Sequence, residues 1–181
     1  ESFLRRALNG HVLDQEQARS VFEEMSRGEL SEIEIAAFLG ALHARGEQPS
    51  EIAGAAEAFR SAAQHFTTTA PDVNDVDGPG GDGVGTINIS TASAFVAASM
   101  GLKVAKHGNR AVSSKAGAAD LVEAAGIPLD LSPASSATLL ERTGFCFLFA
   151  QKYHPAMRYV APVRGALKNP TIFNLIGPLV N

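Results

Sequence analysis

From Val73 to Ala150 short apolar runs alternate with helical patterns, and that alternation leaves the chain few architectures to adopt. Val73 to Asp77 reads as a short strand that runs into a glycine loop. Thr91 to Met100 reads as a helix, and Leu102 to Lys106 as the next strand. Ala118 to Ala125 is a helix stopped by Gly126, and Pro133 to Arg142 is another, with Ser132 as its cap. Phe145 to Ala150 is continuously apolar and reads as a fully buried strand. Strands and helices in turn predict a mainly parallel sheet covered by helices.

Residues 1–66 carry a different pattern. Asp14-Gln15-Glu16-Gln17 is a capping box, followed by Ala18, Val21, Phe22 and Met25 at helical spacing. Ser31-Glu32-Ile33-Glu34 is a second box, and Gly46 suits the end of its helix. Pro49-Ser50-Glu51 starts a third helix, toward Phe66. The expected unit is a small helical bundle. Its faces are rich in alanine and include Gly40 and Gly54, so helices could pack closely within or between subunits. Composition shifts at Thr67-Thr68-Thr69-Ala70-Pro71, a linker by its residues. Beyond Pro162 the pattern is again short and helical. The predicted fold is therefore α/β, with an N-terminal helical bundle subdomain (1–70), a mainly parallel α/β subdomain (71–162) and a return to the helical subdomain (163–181).

The chain has 181 residues, 45% of them hydrophobic, which suffices for one substantial core or two small ones. A net charge of −4 argues against a general nucleic-acid binder. The single cysteine, Cys146, excludes an internal disulfide and a multi-cysteine zinc site. Its setting in an apolar run makes it an expected core residue. No apolar run is long enough to span a membrane and no signal-peptide pattern is present, so a cytoplasmic location is expected.

The chemistry concentrates between Gly78 and Asp120. Gly78-Pro79-Gly80-Gly81-Asp82-Gly83 leads into Asn88-Ile89-Ser90-Thr91, then Lys106-His107-Gly108-Asn109-Arg110, then Ser113-Ser114-Lys115. Between Asp82 and Asp120 there is no acidic residue, whereas Lys103, Lys106, Arg110 and Lys115 are basic. Glycines let backbone N–H groups approach a ligand, and hydroxyls and cations add donors. That inventory suits a phosphate or diphosphate. Ser90 and Thr91 stand where a helix begins, so its free N–H groups would face the same anion. Gly78, Gly80 and Gly83 match G-x-G-x-x-G, but the acidic residue expected about 20 positions on in a dinucleotide site is absent. No Gly-Lys-Ser/Thr follows, so this is not a P-loop either.

These motifs, with Gly177-Pro178-Leu179, resemble the anthranilate phosphoribosyltransferase family of tryptophan biosynthesis, and the resemblance spans nearly the whole chain. The family usually has Thr where Pro79 stands, and Ser-Gly-Ser-Ala-Asp where this chain has Ala116-Gly117-Ala118-Ala119-Asp120. The resemblance implies transfer of the phosphoribosyl group of phosphoribosyl diphosphate to the amine of anthranilate, with release of diphosphate. It implies that Gly78, Gly80, Gly81, Asp82, Thr86, Asn88, Ser90, Thr91, Lys106 and Ser114 bind phosphoribosyl diphosphate. Gly78, His107, Asn109, His154, Arg164 and Pro178 would form the anthranilate path, with the Arg164 guanidinium suited to clamp a carboxylate. Ser90 would touch a Mg²⁺ ion on the diphosphate. A homodimer through the helical subdomain is also implied.

The family carries an acidic Asp-Glu pair that holds Mg²⁺ in a second half, which this chain does not reach. The α/β subdomain is therefore expected to be incomplete here, with the chain an N-terminal portion inactive alone. Two rivals remain at this stage. A pyrimidine nucleoside phosphorylase of similar fold would carry a Lys-His-Ser-Thr-Gly-Gly-like loop, where this chain has Asp-Gly-Pro-Gly-Gly-Asp-Gly. A nucleic-acid-binding relative would lack His107, Asn109 and Arg164.

Overall fold

The computed structural model of the chain describes residues 2–76, 88–110 and 116–180. The elements are α1 (Phe3–Leu8), α2 (Gln15–Arg27), α3 (Glu32–Arg45), α4 (Pro49–Ser61), β1 (Val73–Asn74), α5 (Ile89–Ser99) and β2 (Lys103–Gly108). After these come α6 (Ala118–Ala124), α7 (Pro133–Thr143), β3 (Phe145–Phe149), α8 (Ala150–Tyr153), α9 (Ala161–Leu167) and α10 (Ile172–Ile176). Two 3₁₀ turns, Pro155–Tyr159 and Gly177–Leu179, flank the last two helices. The chain divides into two compact units: Glu1–Ala63 with His154–Asn181, and Gln64–Tyr153. The sequence pattern set its boundaries at 70 and 162 instead.

The helical unit starts from its caps. The Gln17 amide donates to Asp14 Oδ1 at 2.9 Å, and the Glu34 amide donates to the Ser31 hydroxyl at 3.3 Å. The Ser31 amide and hydroxyl both donate to Glu34, which holds that carboxyl below its usual range. The apolar faces thus set in register bury Val21, Phe22, Met25, Phe38, Leu39 and Leu42 in one core. Phe22 meets Phe38 edge-on at 5.3 Å between centroids, and Phe59 meets Phe173 at 4.9 Å. Phe173 therefore draws α10 into the core built by α2 and α4.

Two local devices fix how α2 and α4 pack. Glu51 is fully buried, yet its carboxylate accepts from the Leu13 amide at 3.1 Å, the Gln48 amide at 3.0 Å and Arg45 at 2.6 Å. Such a charge is tolerated because every approach to it is a donor; removing one partner of a buried pair costs about 3–5 kcal/mol. The second device is Gly54. A Cβ there would lie 2.5 Å from the Gln15 carbonyl oxygen and 2.7 Å from the Arg19 amide nitrogen. The fourth helix rests on the backbone of the second at this point. Gly40, which the sequence pairs with Gly54 as a small packing residue, faces open space.

In the α/β unit three parallel strands lie in the order β1-β2-β3. Val104 pairs with Phe145, Ala105 with Cys146 and Lys106 with Phe147. Val104, Phe145 and Phe147 join Ala94 of α5 and Ala119 and Val122 of α6 in one apolar cluster. Ala105 and Cys146 join Leu140 of α7 in another. Both faces of the sheet are thus covered, as the apolar run of β3 requires.

Several element ends differ from the sequence pattern. The third expected helix stops at Ser61 and not near Phe66. The first strand pairs only at Val73 and Asn74, because Asp75 and Val76 turn away to serve the loop ends described below. The second runs on to Gly108, and Ala150 opens α8 where it was expected to end a strand. Leu148 and Phe149 are half-buried, so only the first three residues of β3 are fully enclosed.

Gly54→Ala is expected to lower stability by about 1–3 kcal/mol, since the methyl meets backbone that cannot step aside. Gly165→Ala, on α9 facing open space, is expected to be neutral or stabilising by about 1 kcal/mol or less. Thermal denaturation of both variants checks the contrast.

Candidate functional site

The carboxyl end of the sheet is knitted by a few polar contacts. Lys106 is 1% exposed, and its ammonium donates to the Val76 carbonyl at 2.5 Å. The next amide, of His107, donates to Asp75 Oδ1 at 3.2 Å. These bonds pin the exit of β1 to the end of β2. Gly108 completes the junction: a Cβ there would meet the Phe147 ring at 2.9 Å and Ala118 at 3.1 Å. The missing side chain lets the start of α6 sit against the strand. The Ala119 amide then donates to the Asn109 carbonyl at 3.1 Å.

Asn88 caps the entry to α5, but its side chain is used elsewhere. Its Nδ2 donates to the Gly117 carbonyl at 3.1 Å, which ties the starts of α5 and α6 together. The first helical bond of α5 is from the Ala92 amide to the Asn88 carbonyl, so the amides of Ile89, Ser90 and Thr91 precede the ladder. Thr91 is 1% exposed, and its hydroxyl has no hydrogen-bond partner among the described residues. A buried hydroxyl left unmet costs about 1–3 kcal/mol, so it marks a place where another polar group belongs. Ser90 is half-buried one residue before it.

Not every cation of the acid-free stretch serves this place. Arg110 is engaged by Glu123 at 2.8 and 2.9 Å and by Asp120 at 3.0 Å. Those bonds raise its pKa, and Arg110 in turn lowers that of Glu123. Its charge is met by α6, ten and thirteen residues on. Lys103 stands at the other end of β2, where it donates to the Leu140 and Glu141 carbonyls at 3.4 and 3.0 Å. There it satisfies the last carbonyls of α7. Among the described residues Lys106 is then the lysine of the stretch that lies toward the carboxyl end of the sheet, where it too is hydrogen-bonded to the protein. Cys146 is fully buried, and burial pushes its thiol up to about 12, so it has no place in the chemistry.

His107 and Asn109 belong to the α/β unit; His154, Arg164 and Pro178 belong to the helical one. His154 is 7% exposed and precedes the turn Pro155–Tyr159, and Pro178 is exposed in the turn Gly177–Leu179. Arg164 on α9 lies over the Phe173 ring, 5.6 Å from its centroid, and donates to Asn174 Oδ1 at 3.4 Å. Burial lowers its pKa, and no ion pair engages it among the described residues. Gly78, Gly80, Gly81, Asp82, Thr86 and Ser114 lie outside the described residues. Sequence reasoning missed Asp75, which holds the His107 amide, and Asn174, which holds Arg164. The second had a visible signal, since Thr171-x-x-Asn174 is a cap pattern.

Two family models cover the chain. The one described as glycosyl transferase family, helical bundle domain, matches residues 1–63; the one described as glycosyl transferase family, a/b domain, matches residues 70–181. The chain belongs to this glycosyl transferase family. It is 53% identical over 178 residues to an anthranilate phosphoribosyltransferase of Idiomarina loihiensis, covering 98% of this chain and 53% of that protein. It is 51% identical to the same enzyme of Aeromonas salmonicida, with the same coverage. Among solved structures, anthranilate phosphoribosyltransferase from Thermus thermophilus superposes with a TM-score of 0.94 at 48% identity, a match that covers 100% of this chain and 55% of the other. The Saccharomyces cerevisiae enzyme in complex with PRPP and Mg gives 0.89 at 29% identity, covering 99% and 54%. The chain spans about half the length of the relatives it matches.

Because acids of α6 already meet the Arg110 charge, Arg110→Met is expected to change any affinity for inorganic diphosphate by less than about threefold. Isothermal titration with the natural full-length chain measures it.

Proposed function

We propose that this chain is part of an enzyme that transfers the phosphoribosyl group of phosphoribosyl diphosphate to the amine of anthranilate. The observation that carries this reading is the Lys106 ammonium, buried toward the carboxyl end of the central strand and hydrogen-bonded to the Val76 carbonyl at the exit of β1. Parallel sheets place ligands at that end. The identity to anthranilate phosphoribosyltransferases along nearly the whole chain supports the substrates. No observation favours a nucleoside phosphorylase or a nucleic-acid-binding relative over it.

In this proposal Lys106, Asn88, Ser90 and Thr91 bind phosphoribosyl diphosphate, together with Gly78, Gly80, Gly81, Asp82, Thr86 and Ser114. Gly78, His107, Asn109, His154, Arg164 and Pro178 line the anthranilate path. The aryl amine is uncharged near neutral pH and needs little base assistance. Its lone pair forms the new bond to the anomeric carbon while the carbon–oxygen bond to diphosphate breaks. The N-aryl ammonium so formed is acidic and gives its proton to water. The demanding part is charge: diphosphate must leave and the ribose turns cationic. The Lys106 ammonium and the amides and hydroxyls at the start of α5 stabilise the departing oxygens. Arg164 and Asn109 hold anthranilate for in-line attack.

Among the described residues no group of three His, Cys, Asp or Glu side chains could hold a metal. In this proposal Ser90 would contribute one oxygen to a Mg²⁺ ion on the diphosphate, whose charge the ion would neutralise. No helix of the described residues is long and apolar enough to cross a membrane, and a cytoplasmic location is part of the proposal.

We also propose a homodimer through the helical unit. Ile33 is 82% exposed on α3, and Ala37, Gly40 and Ala44 follow it at helical spacing on the exposed side. Small residues there would admit a second helix closely. Ile33→Glu is expected to convert the natural full-length chain to monomer in sedimentation velocity; a monomeric unaltered chain at all concentrations would overturn the dimer.

Lys106→Met preserves the buried volume and removes the charge. It is expected to weaken phosphoribosyl diphosphate binding roughly ten- to hundredfold, as loss of a charge-assisted bond implies. Arg164→Ala should raise the KM for anthranilate by a similar factor and leave that for phosphoribosyl diphosphate within about twofold. Steady-state assays that follow anthranilate fluorescence test both; equal losses for the two substrates would overturn the division of the site.

A further inference from the structure

We propose that Asn174 is the positioning residue that keeps the Arg164 guanidinium oriented, without engaging its charge in an ion pair, for a planar carboxylate. The proposal deepens the function proposed above and rests on its assignment of Arg164 to anthranilate.

Arg164 is a half-buried cation with no carboxylate in ion-pair range among the described residues. A guanidinium grips a carboxylate through two parallel bonds only when its plane is set. Two neighbours set it. Below lies Phe173, 5% exposed and itself held edge-on by Phe59 at 4.9 Å and Phe22 at 6.1 Å. The stacking surface is therefore part of the bundle core and cannot tilt freely. At the edge lies Asn174, whose Oδ1 accepts one N–H of the fork at 3.4 Å.

The same oxygen accepts the Thr171 amide at 3.1 Å. Both partners are obligate donors, so the amide must present its oxygen and not its nitrogen. One atom thus closes the start of α10 and orients the fork. Capping alone would be served as well or better by aspartate, the same shape with a charge favourable at a helix start. Aspartate would, however, pair with Arg164 and occupy the cation meant for the substrate. Neutrality at position 174 is what a ligand-binding role demands and a capping role does not.

The test uses Asn174→Asp and Asn174→Ala in the natural full-length chain, with Arg164→Ala alongside. N174D is expected to keep or raise the melting temperature, raise the KM for anthranilate about tenfold or more, and leave the KM for phosphoribosyl diphosphate within about twofold. N174A should raise the anthranilate KM about threefold or more, whether or not N174D folds. Anthranilate KM unchanged in the Asn174 variants but raised in R164A would overturn the positioning role alone. An R164A enzyme with unchanged KM would overturn the assignment of Arg164 first. Equal rises for both substrates would make Asn174 a structural cap only and overturn the proposal.

Discussion

A lysine ammonium placed inside a sheet must be met by oxygen, and the α/β unit is arranged around that demand. Lys106 reaches the Val76 carbonyl, so the chain leaving β1 cannot part from β2 without taking an acceptor away from a buried charge. Asp75 repeats the tie one residue on, through the His107 amide. Together they explain why β1 is only two residues long: the chain stops pairing along the ladder in order to serve the end of the neighbouring strand. Gly108 and the Asn88–Gly117 bond then bring the starts of α5 and α6 to the same edge.

Charge is sorted by tertiary structure, not by the stretch of sequence that carries it. Lys103 and Lys106 are three residues apart on one strand and so point to opposite faces, about 10 Å apart along it. One ends on helix carbonyls and the other on the Val76 carbonyl at the exit of β1. Arg110 is taken by acids that lie just past the acid-free stretch and fold back over it. An excess of basic residues along a chain therefore overstates the positive charge presented to a ligand, and pairing has to be known before cations are counted.

What could be read from the sequence follows the range of the interactions involved. The caps at Asp14, Ser31 and Ser132 are contacts between residues three apart, and all three were legible. The alternation that implied the parallel sheet is local hydrophobic patterning, and it was legible too. The family motifs pointed to Lys106 and Arg164, with the glycosyl transferase relatives in agreement on the family. What was not legible depends on partners brought from afar. Gly40 and Gly54 look alike in sequence; only packing shows that one faces open space and the other seats a helix. The helical pattern runs on to Phe66, yet that ring stacks edge-on against Tyr153, a residue 87 positions away by number (153 − 66). Asp75 sits among loop residues and gave no sign that it would hold the amide of His107.

The two cations singled out here are held by different physics, and the difference matches the anions proposed for them. Lys106 is a compact point charge, enclosed on all sides and anchored by a carbonyl at the strand end. A tetrahedral phosphate presents oxygens in many directions, so a point donor fixed in place suffices. Arg164 is a planar cation over an aromatic ring, 5.6 Å from its centroid, with its edge held by an amide oxygen. A carboxylate on an aromatic ring is flat and asks for a donor whose orientation is set as well as its position. Lysine at 164 would keep the charge and lose the plane. In that proposal the two anions would be separated by the shape of the cation offered to each, and the bundle core that fixes Phe173 would share in the discrimination with the strand that buries Lys106.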